Sequence, residues 1–264
     1  MTLNYDDLAT VAHKAADAAR AAILPHFRAS GLTADNKGSD RYDPVTEADR
    51  ASELAMRAVL AQCRPDDAIL GEEFGTKDGT SGITWVLDPI DGTRAFVAGT
   101  PTWGVLIAAG TAAGPSLGLI DQPYIGERFL GVPGRATCHG PLGHSVLHTR
   151  GPRPLGQATV FTTFPEVGTA EERAAFEAVA SQARLVRYGM DCYAYALVAA
   201  GHVDLVIEAG LAAYDIQAPI ALIHAAGGIV TNWEGGPAHA GGRALAAANP
   251  EIHAEALALL KAAQ

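Results

Sequence analysis

Acidic side chains gather at the ends of apolar runs in this chain, at spacings that could do chemistry. The stretch Trp85–Phe96, WVLDPIDGTRAF, places Asp88 and Asp91 three residues apart around a proline, then runs through Gly92 and Thr93 toward a helix. Glu72 lies at the end of the upstream run AILGEE, and Asp215 opens the distant segment DIQAPIALIHAAG. Any one of these alone reads as a turn or cap carboxylate, since Asp, Pro and Gly are turn residues. A carboxylate closing a buried strand is costly unless it is paired or binds a metal. No Lys or Arg stands immediately beside Asp88 and Asp91, Arg94 lying past the turn. Hard divalent cations such as Mg²⁺ take oxygen ligands, usually one or two carboxylates with waters and substrate phosphate. Taken together, the acids read as a cation site serving a phosphate. Gly92 would let the backbone approach an oxyanion, and Thr93 stands where a helix would offer its free amides to one.

The composition agrees with such a site. The chain has 264 residues, enough to bury a sizeable core, and its formal net charge is -10. That balance argues against a general nucleic-acid binder, which carries a basic footprint. The N-terminal segment MTLNYDDLATVAHKAADAAR has charges interrupting its apolar positions, so no signal peptide is expected there. No apolar run approaches the ~20 residues that span a bilayer. Cys63, Cys138 and Cys192 are scattered and odd in number, the pattern of reduced thiols, so a cytoplasmic protein is expected.

The elements that must position the acids fall into two kinds. Leu8, Val11, Ala12 and Ala15 predict a first helix running to about Pro25. The polar stretch Ala29–Pro44 reads as a surface loop. A second helix is expected from Thr46, with Asp49 in a capping-box position. AILGEE, ITWVLD, GVLIAA, SLGLID and RFLGV follow as short strands with close turns, which suggests antiparallel pairing. Beyond about Gly140, strands and helices alternate. We therefore expect one unit with two halves: an α+β half over 1–140 holding most cation ligands, and an α/β half over 141–264 holding the substrate-binding residues and Asp215.

With these residues in view, the chain resembles the inositol monophosphatase superfamily of Mg²⁺-dependent, Li⁺-sensitive phosphomonoesterases. DPIDGTRAF (Asp88–Phe96) resembles its first signature, with GEE (Gly71–Glu73) upstream. DPVTEADR (Asp43–Arg50) resembles the helix start carrying a supporting acid, and YDIQAPIALIHAAGG (Tyr214–Gly228) resembles the second signature. Tyr214 stands for the usual tryptophan and Pro219 for a common glycine. The resemblance implies the layered α/β/α/β/α sandwich of that superfamily. It implies two or three Mg²⁺ ions held by Glu72, Asp88, the carbonyl of Ile90, Asp91 and Asp215. It also implies Thr93, backed by Asp49, orienting the attacking water, with Glu72 counted among the catalytic groups. Asp49 reads equally as a helix-start carboxylate favoured by the dipole, and the two roles are compatible.

For the substrate, GTRAFVAGTPTWG, GLIDQPYIGERFLGV and the segment Tyr188–Ile216 look more like the histidinol-phosphatase branch than like inositol enzymes. Gly92, Thr93, Gly189, Asp191, Glu208 and Asp215 are expected to bind substrate. An acidic pair, Asp191 and Glu208, suits the ammonium and imidazole of histidinol phosphate, because charge-assisted hydrogen bonds are the stronger ones. Asp191 has a competing reading as the N-cap of the helix CYAYALVAAG. The alternative substrate is inositol 1-phosphate or another small sugar phosphate. A homodimer is expected, with a small phosphate monoester as its partner and neither nucleic acid nor membrane. His144 and His148 would lie ~13 Å apart along a strand at ~3.3 Å per residue, too far to share a zinc. Trp85 and Trp103 read as core, and Lys37 reads either as a mobile-loop lysine or as a solvated one.

Overall fold

Asn4 caps the first helix with its side chain, and Leu8, Val11, Ala12, Ala15 and Ala19 bury along one stripe of α1 (Tyr5–Ile23). The structure is a computed structural model describing residues 3–30, 33–36 and 44–263. The short strands β1 (Asp35–Asn36) and β2 (Pro44–Val45) pair with each other. They lie within and beside the stretch expected to be a loop; Lys37 and Asp43 fall outside the described residues. Helix α2 (Glu47–Cys63) starts from the expected capping box, with Thr46 and Asp49 bonding reciprocally.

Eight strands follow: β3 (Ala68–Gly71), β4 (Gly75–Lys77), β5 (Thr84–Asp91), β6 (Gly104–Thr111), β7 (Gly114–Gln122), β8 (Glu127–Val132), β9 (Arg135–Gly140) and β10 (Gly143–Val146), with α3 (Thr93–Ala98) between β5 and β6. They form one sheet in the order β10-β9-β8-β7-β6-β5-β3-β4. Pairing is antiparallel, as expected, except between β3 and β5. The sheet runs on to Val146, past the expected change of pattern at residue 140.

The second sheet, in the order β12-β11-β13-β15-β14, holds β11 (Thr159–Thr162), β12 (Leu185–Tyr188), β13 (Leu205–Leu211), β14 (Ile229–Thr231) and β15 (Gly242–Ala247). Helices α4 (Ala170–Ala180), α5 (Asp191–Ala199), α6 (Ala213–Ala225) and α7 (Pro250–Ala262) complete the described α-helices, with a short 3-10 turn at Leu155–Gln157. Helices α1 and α2 pack together against one face of the large sheet. Helices α5 and α6 lie on its other face and also touch the second sheet, whose far side carries α4 and α7. The layers therefore run α/β/α/β/α, the sandwich expected. Trp85 and Trp103 are fully buried in the first core, as expected.

The middle layer fits because two strand residues facing α6, Gly118 and Gly131, have no side chain. A β-carbon on Gly118 would stand 2.1 Å from the Ala218 carbonyl oxygen, and one on Gly131 would stand 2.4 Å from the Leu222 Cα. Pro219 sits inside α6 and is buried. Its ring withholds the amide that would bond back to the carbonyl of Asp215.

Candidate functional site

Residues three apart on a regular strand face opposite sides of the sheet, so β5 cannot present Asp88 and Asp91 together without an irregularity. It has one. Asp88 pairs with Leu106 and Asp91 with Gly104, so β5 carries an extra residue there, a bulge containing Pro89. Asp215, from the first turn of α6, joins them. Ligand oxygens of the three acids all lie within 4.8 Å of one another. Backbone amides fix one oxygen of each: Ile90 N–H donates to Asp88 Oδ1 at 3.0 Å, Cys192 N–H to Asp91 Oδ2 at 2.6 Å, and Ala212 N–H to Asp215 Oδ2 at 2.7 Å. Burial, then the charges of Glu72, Asp91 and Asp215, pushes the Asp88 carboxyl well above the ordinary carboxylate range. Asp91 is raised likewise, by burial and then by Asp215, Asp191 and Glu208. A donor set made of buried, mutually repelling carboxylate oxygens fits a hard divalent cation.

Asp49 is fully buried behind this cluster. Its Oδ2 accepts from Thr46 N–H at 2.8 Å and from Thr46 Oγ1 at 2.6 Å. Its Oδ1 stands 3.4 Å from Thr93 Oγ1, which also lies 3.1 Å from the Ile90 carbonyl. Capping thus uses one carboxylate oxygen of Asp49 and leaves the other facing Thr93. Burial raises the pKa of Asp49 despite its bonds to Thr46.

These groups open into a cavity of about 420 Å³. Glu72, Asp88, Ile90, Asp91, Gly92 and Thr93 line it together with Asp191, Glu208 and Asp215. Asp191 is not the N-cap of α5. Met190 holds that position, and Asp191 follows it with a left-handed φ of 44° while accepting from Thr102 Oγ1 at 2.8 Å. Asp91 satisfies the helix amide instead. The Asp191 carboxyl also fills the space that a β-carbon on Gly92 would need, 2.6 Å from its Cγ, so Gly92 makes room for a side chain there. Gly189 is not among the cavity-lining residues; with φ 75° it turns the chain toward α5, its N–H donating to the Thr163 carbonyl at 3.0 Å.

Glu208 is buried, with Oε1 accepting from the Thr163 amide and hydroxyl and Oε2 from Tyr195 Oη at 2.8 Å. Burial pushes its carboxyl up to about 7 against these bonds. Sequence reasoning missed Thr163 and Tyr195. A tyrosine in an otherwise apolar helix was the available signal, because a buried phenol needs a polar partner. Arg94 and Phe164 also line the cavity, the guanidinium 5.0 Å from the ring centroid. His144 faces His139 across a hairpin and His148 lies beyond the strand end. Among the described residues, Asp88, Asp91 and Asp215 are the one group close enough to share an ion.

Residues 4–264 match the inositol monophosphatase family. A chloroplastic bifunctional phosphatase of Arabidopsis thaliana, IMPL2, is 43% identical over 232 residues, covering 87% of this chain; the chain spans 65% of that protein's length. The histidinol-phosphatase of Streptomyces coelicolor is 36% identical over 267 residues, covering 97% of this chain and 98% of its own. Among solved structures, an inositol monophosphatase from Zymomonas mobilis superposes with a TM-score of 0.86 at 39% identity, covering 98% of this chain and 100% of that one.

Proposed function

The chain belongs to the inositol monophosphatase family, and on that premise we propose that it hydrolyses L-histidinol phosphate to L-histidinol and phosphate, using Mg²⁺. One observation carries the substrate: the cavity that holds the carboxylate cluster is walled on its other side by two further acids, Asp191 and Glu208. An ester whose alcohol carries an ammonium and an imidazole has a partner there, whereas a neutral polyol needs none of that charge. The likeness to the Streptomyces coelicolor histidinol-phosphatase along nearly the whole chain supports the same reading.

In this reading Glu72, Asp88, the Ile90 carbonyl, Asp91 and Asp215 hold two or three Mg²⁺ ions. When bound, these supply Lewis-acid stabilisation of charge on the phosphoryl oxygens and lower the pKa of water. Thr93 does the orienting. Its single hydroxyl proton is directed to Asp49 or the Ile90 carbonyl, so its lone pairs remain to accept from the attacking water. Asp49, locked by Thr46, holds that arrangement and receives proton density from Thr93 Oγ1 as the water loses its own. Asp191 and Glu208 receive the cationic end of the alcohol. We take the working form to be a cytoplasmic homodimer, which sedimentation velocity checks for its subunit number.

A second reading, inositol 1-phosphate, draws on the likeness to the Zymomonas mobilis enzyme and on Glu208. With its carboxyl pushed up to about 7 by burial, Glu208 is partly neutral near physiological pH and suited to a hydroxyl. Steady-state kinetics on both esters side by side, with Mg²⁺ and with chelator, decide. The proposal expects the higher kcat/KM on histidinol phosphate and no turnover in chelator; preference for inositol 1-phosphate would overturn the substrate.

A further inference from the structure

Glu53 is a fully buried carboxylate on α2 that touches none of the substrate groups named above. Its Oε2 accepts from the Glu73 amide at 2.6 Å and its Oε1 from the Phe74 amide at 3.2 Å. Arg57, one turn along the helix, donates through Nε to Oε1 at 2.7 Å and through Nη2 to the Gly75 carbonyl. Four consecutive residues after β3 therefore include three whose backbone is tied to one ion pair. The fourth is Glu72, held from the other side by its own amide, which donates to the Leu87 carbonyl at 3.2 Å. Burying a charge to bind two amides is costly unless it is paired, and Arg57 supplies that pair.

Gly71 gives an independent sign of the same arrangement. A β-carbon there would stand 2.0 Å from Glu53 Oε1 and 2.8 Å from Arg57 Nη2. No left-handed φ explains this glycine; the incoming carboxylate does.

We propose that Glu53, paired with Arg57, is a positioning residue that fixes the 72–75 turn and so sets the place of Glu72 toward the divalent cation. The proposal rests on the reading of Glu72 as a cation ligand. Groups that orient a ligand from behind typically change metal affinity by about 10–100-fold when removed. An amide at position 53 keeps one acceptor oxygen but loses the charge, so one turn amide and Arg57 lose their partner.

The test is calorimetric titration of the chelator-stripped full-length protein with MgCl₂, with melting curves of the same samples. Glu53→Gln is expected to bind Mg²⁺ roughly 10–100-fold more weakly. Its kcat on histidinol phosphate should recover toward the wild-type value at high Mg²⁺, with KM for the ester unchanged. Gly71→Ala, which drives a methyl group into the carboxylate, should reproduce the weakened binding. Arg57→Gln, which removes only the outer arm, carries the test should either of the others not fold. A lower melting temperature with unchanged Mg²⁺ affinity would mean that the clamp serves stability alone, and would overturn the proposal. Wild-type protein that binds no Mg²⁺ refutes the cation reading and the clamp with it. Wild-type binding matched by equal binding in the variants refutes the clamp alone.

Discussion

At the scale of single residues, the proposed function divides the site into groups that neutralise, orient and recognise. Asp88 neutralises: Asp88→Asn keeps the shape and the bond from the Ile90 amide but removes the charge a divalent ion needs. Activity in saturating substrate should fall by several orders of magnitude, corresponding to several kcal/mol of lost transition-state stabilisation, with a fold intact by circular dichroism. Normal turnover in Mg²⁺ would show the assignment to be mistaken. Thr93 orients: Thr93→Ala should lower kcat far more than it raises KM, because placing a water matters mainly in the transition state. A loss confined to KM would leave Thr93 a substrate holder only. Asp191 recognises, and its backbone dictates how to test it. At φ 44° an alanine is strained, whereas asparagine tolerates the left-handed region. Asp191→Asn therefore removes the charge alone. It should cut kcat/KM on histidinol phosphate about ten- to hundredfold, the value of a hydrogen bond to a charged group, and spare inositol 1-phosphate. Equal losses on both would remove the charge argument.

At the scale of elements, two features turn separate acids into one site. The bulge in β5 brings Asp88 and Asp91 to one side of the sheet, and the glycines of β7 and β8 let α6 come close enough to deliver Asp215. Gly118→Ala should destabilise the protein by about 1–3 kcal/mol through overpacking against the Ala218 carbonyl. Because α6 carries Asp215, the Mg²⁺ needed for half-maximal activity should rise as well. Gly151→Ala is the control, since a β-carbon there meets nothing within 4 Å. A melting temperature for Gly118→Ala equal to that of the control would show that the helix has room to move.

At the scale of the molecule, the proposed cation would compete with protons for the same buried acids. Asp88 and Asp91 ordinarily titrate near 3.8 and are raised well above that in the fold. A carboxyl raised on folding keeps its proton longer in the native state than in the unfolded chain, so native stability falls as pH climbs through the raised values. In chelator, these two groups should therefore destabilise the protein progressively above about pH 4. Mg²⁺ binding only the folded state offsets this by mass action. The rise in melting temperature on adding Mg²⁺ should accordingly grow as pH climbs above about 4. A rise independent of pH over that range would place the cation elsewhere.

Much of this is legible in the sequence alone. Periodicity and caps located α1 and α2, and CYAYALVAAG was legible as the helix α5, because side-chain stripes and cap chemistry are local. The acids of the site were legible as types at element ends, and the family resemblance gathered them into one ligand set. The strands β12 and β15 were not legible: LVRY is a largely exposed edge strand without alternation, and GRALAA has an alanine pattern that reads as helix until a sheet buries it. Nor could the sequence say that Asp91 rather than Asp191 meets the α5 amide, since that partner lies about a hundred positions away and depends on how the halves close. Gly92 and Gly71 make the same point. Both read locally as backbone freedom or motif, and only the packed structure shows the Asp191 and Glu53 carboxylates occupying the space their side chains would have taken. Residue types and local periods are fixed by neighbours in the chain, so the sequence alone determined which acids stand at element ends and most of the layered elements. Register, bulge and close approach arise from contacts between distant segments, and only the tertiary structure decided them.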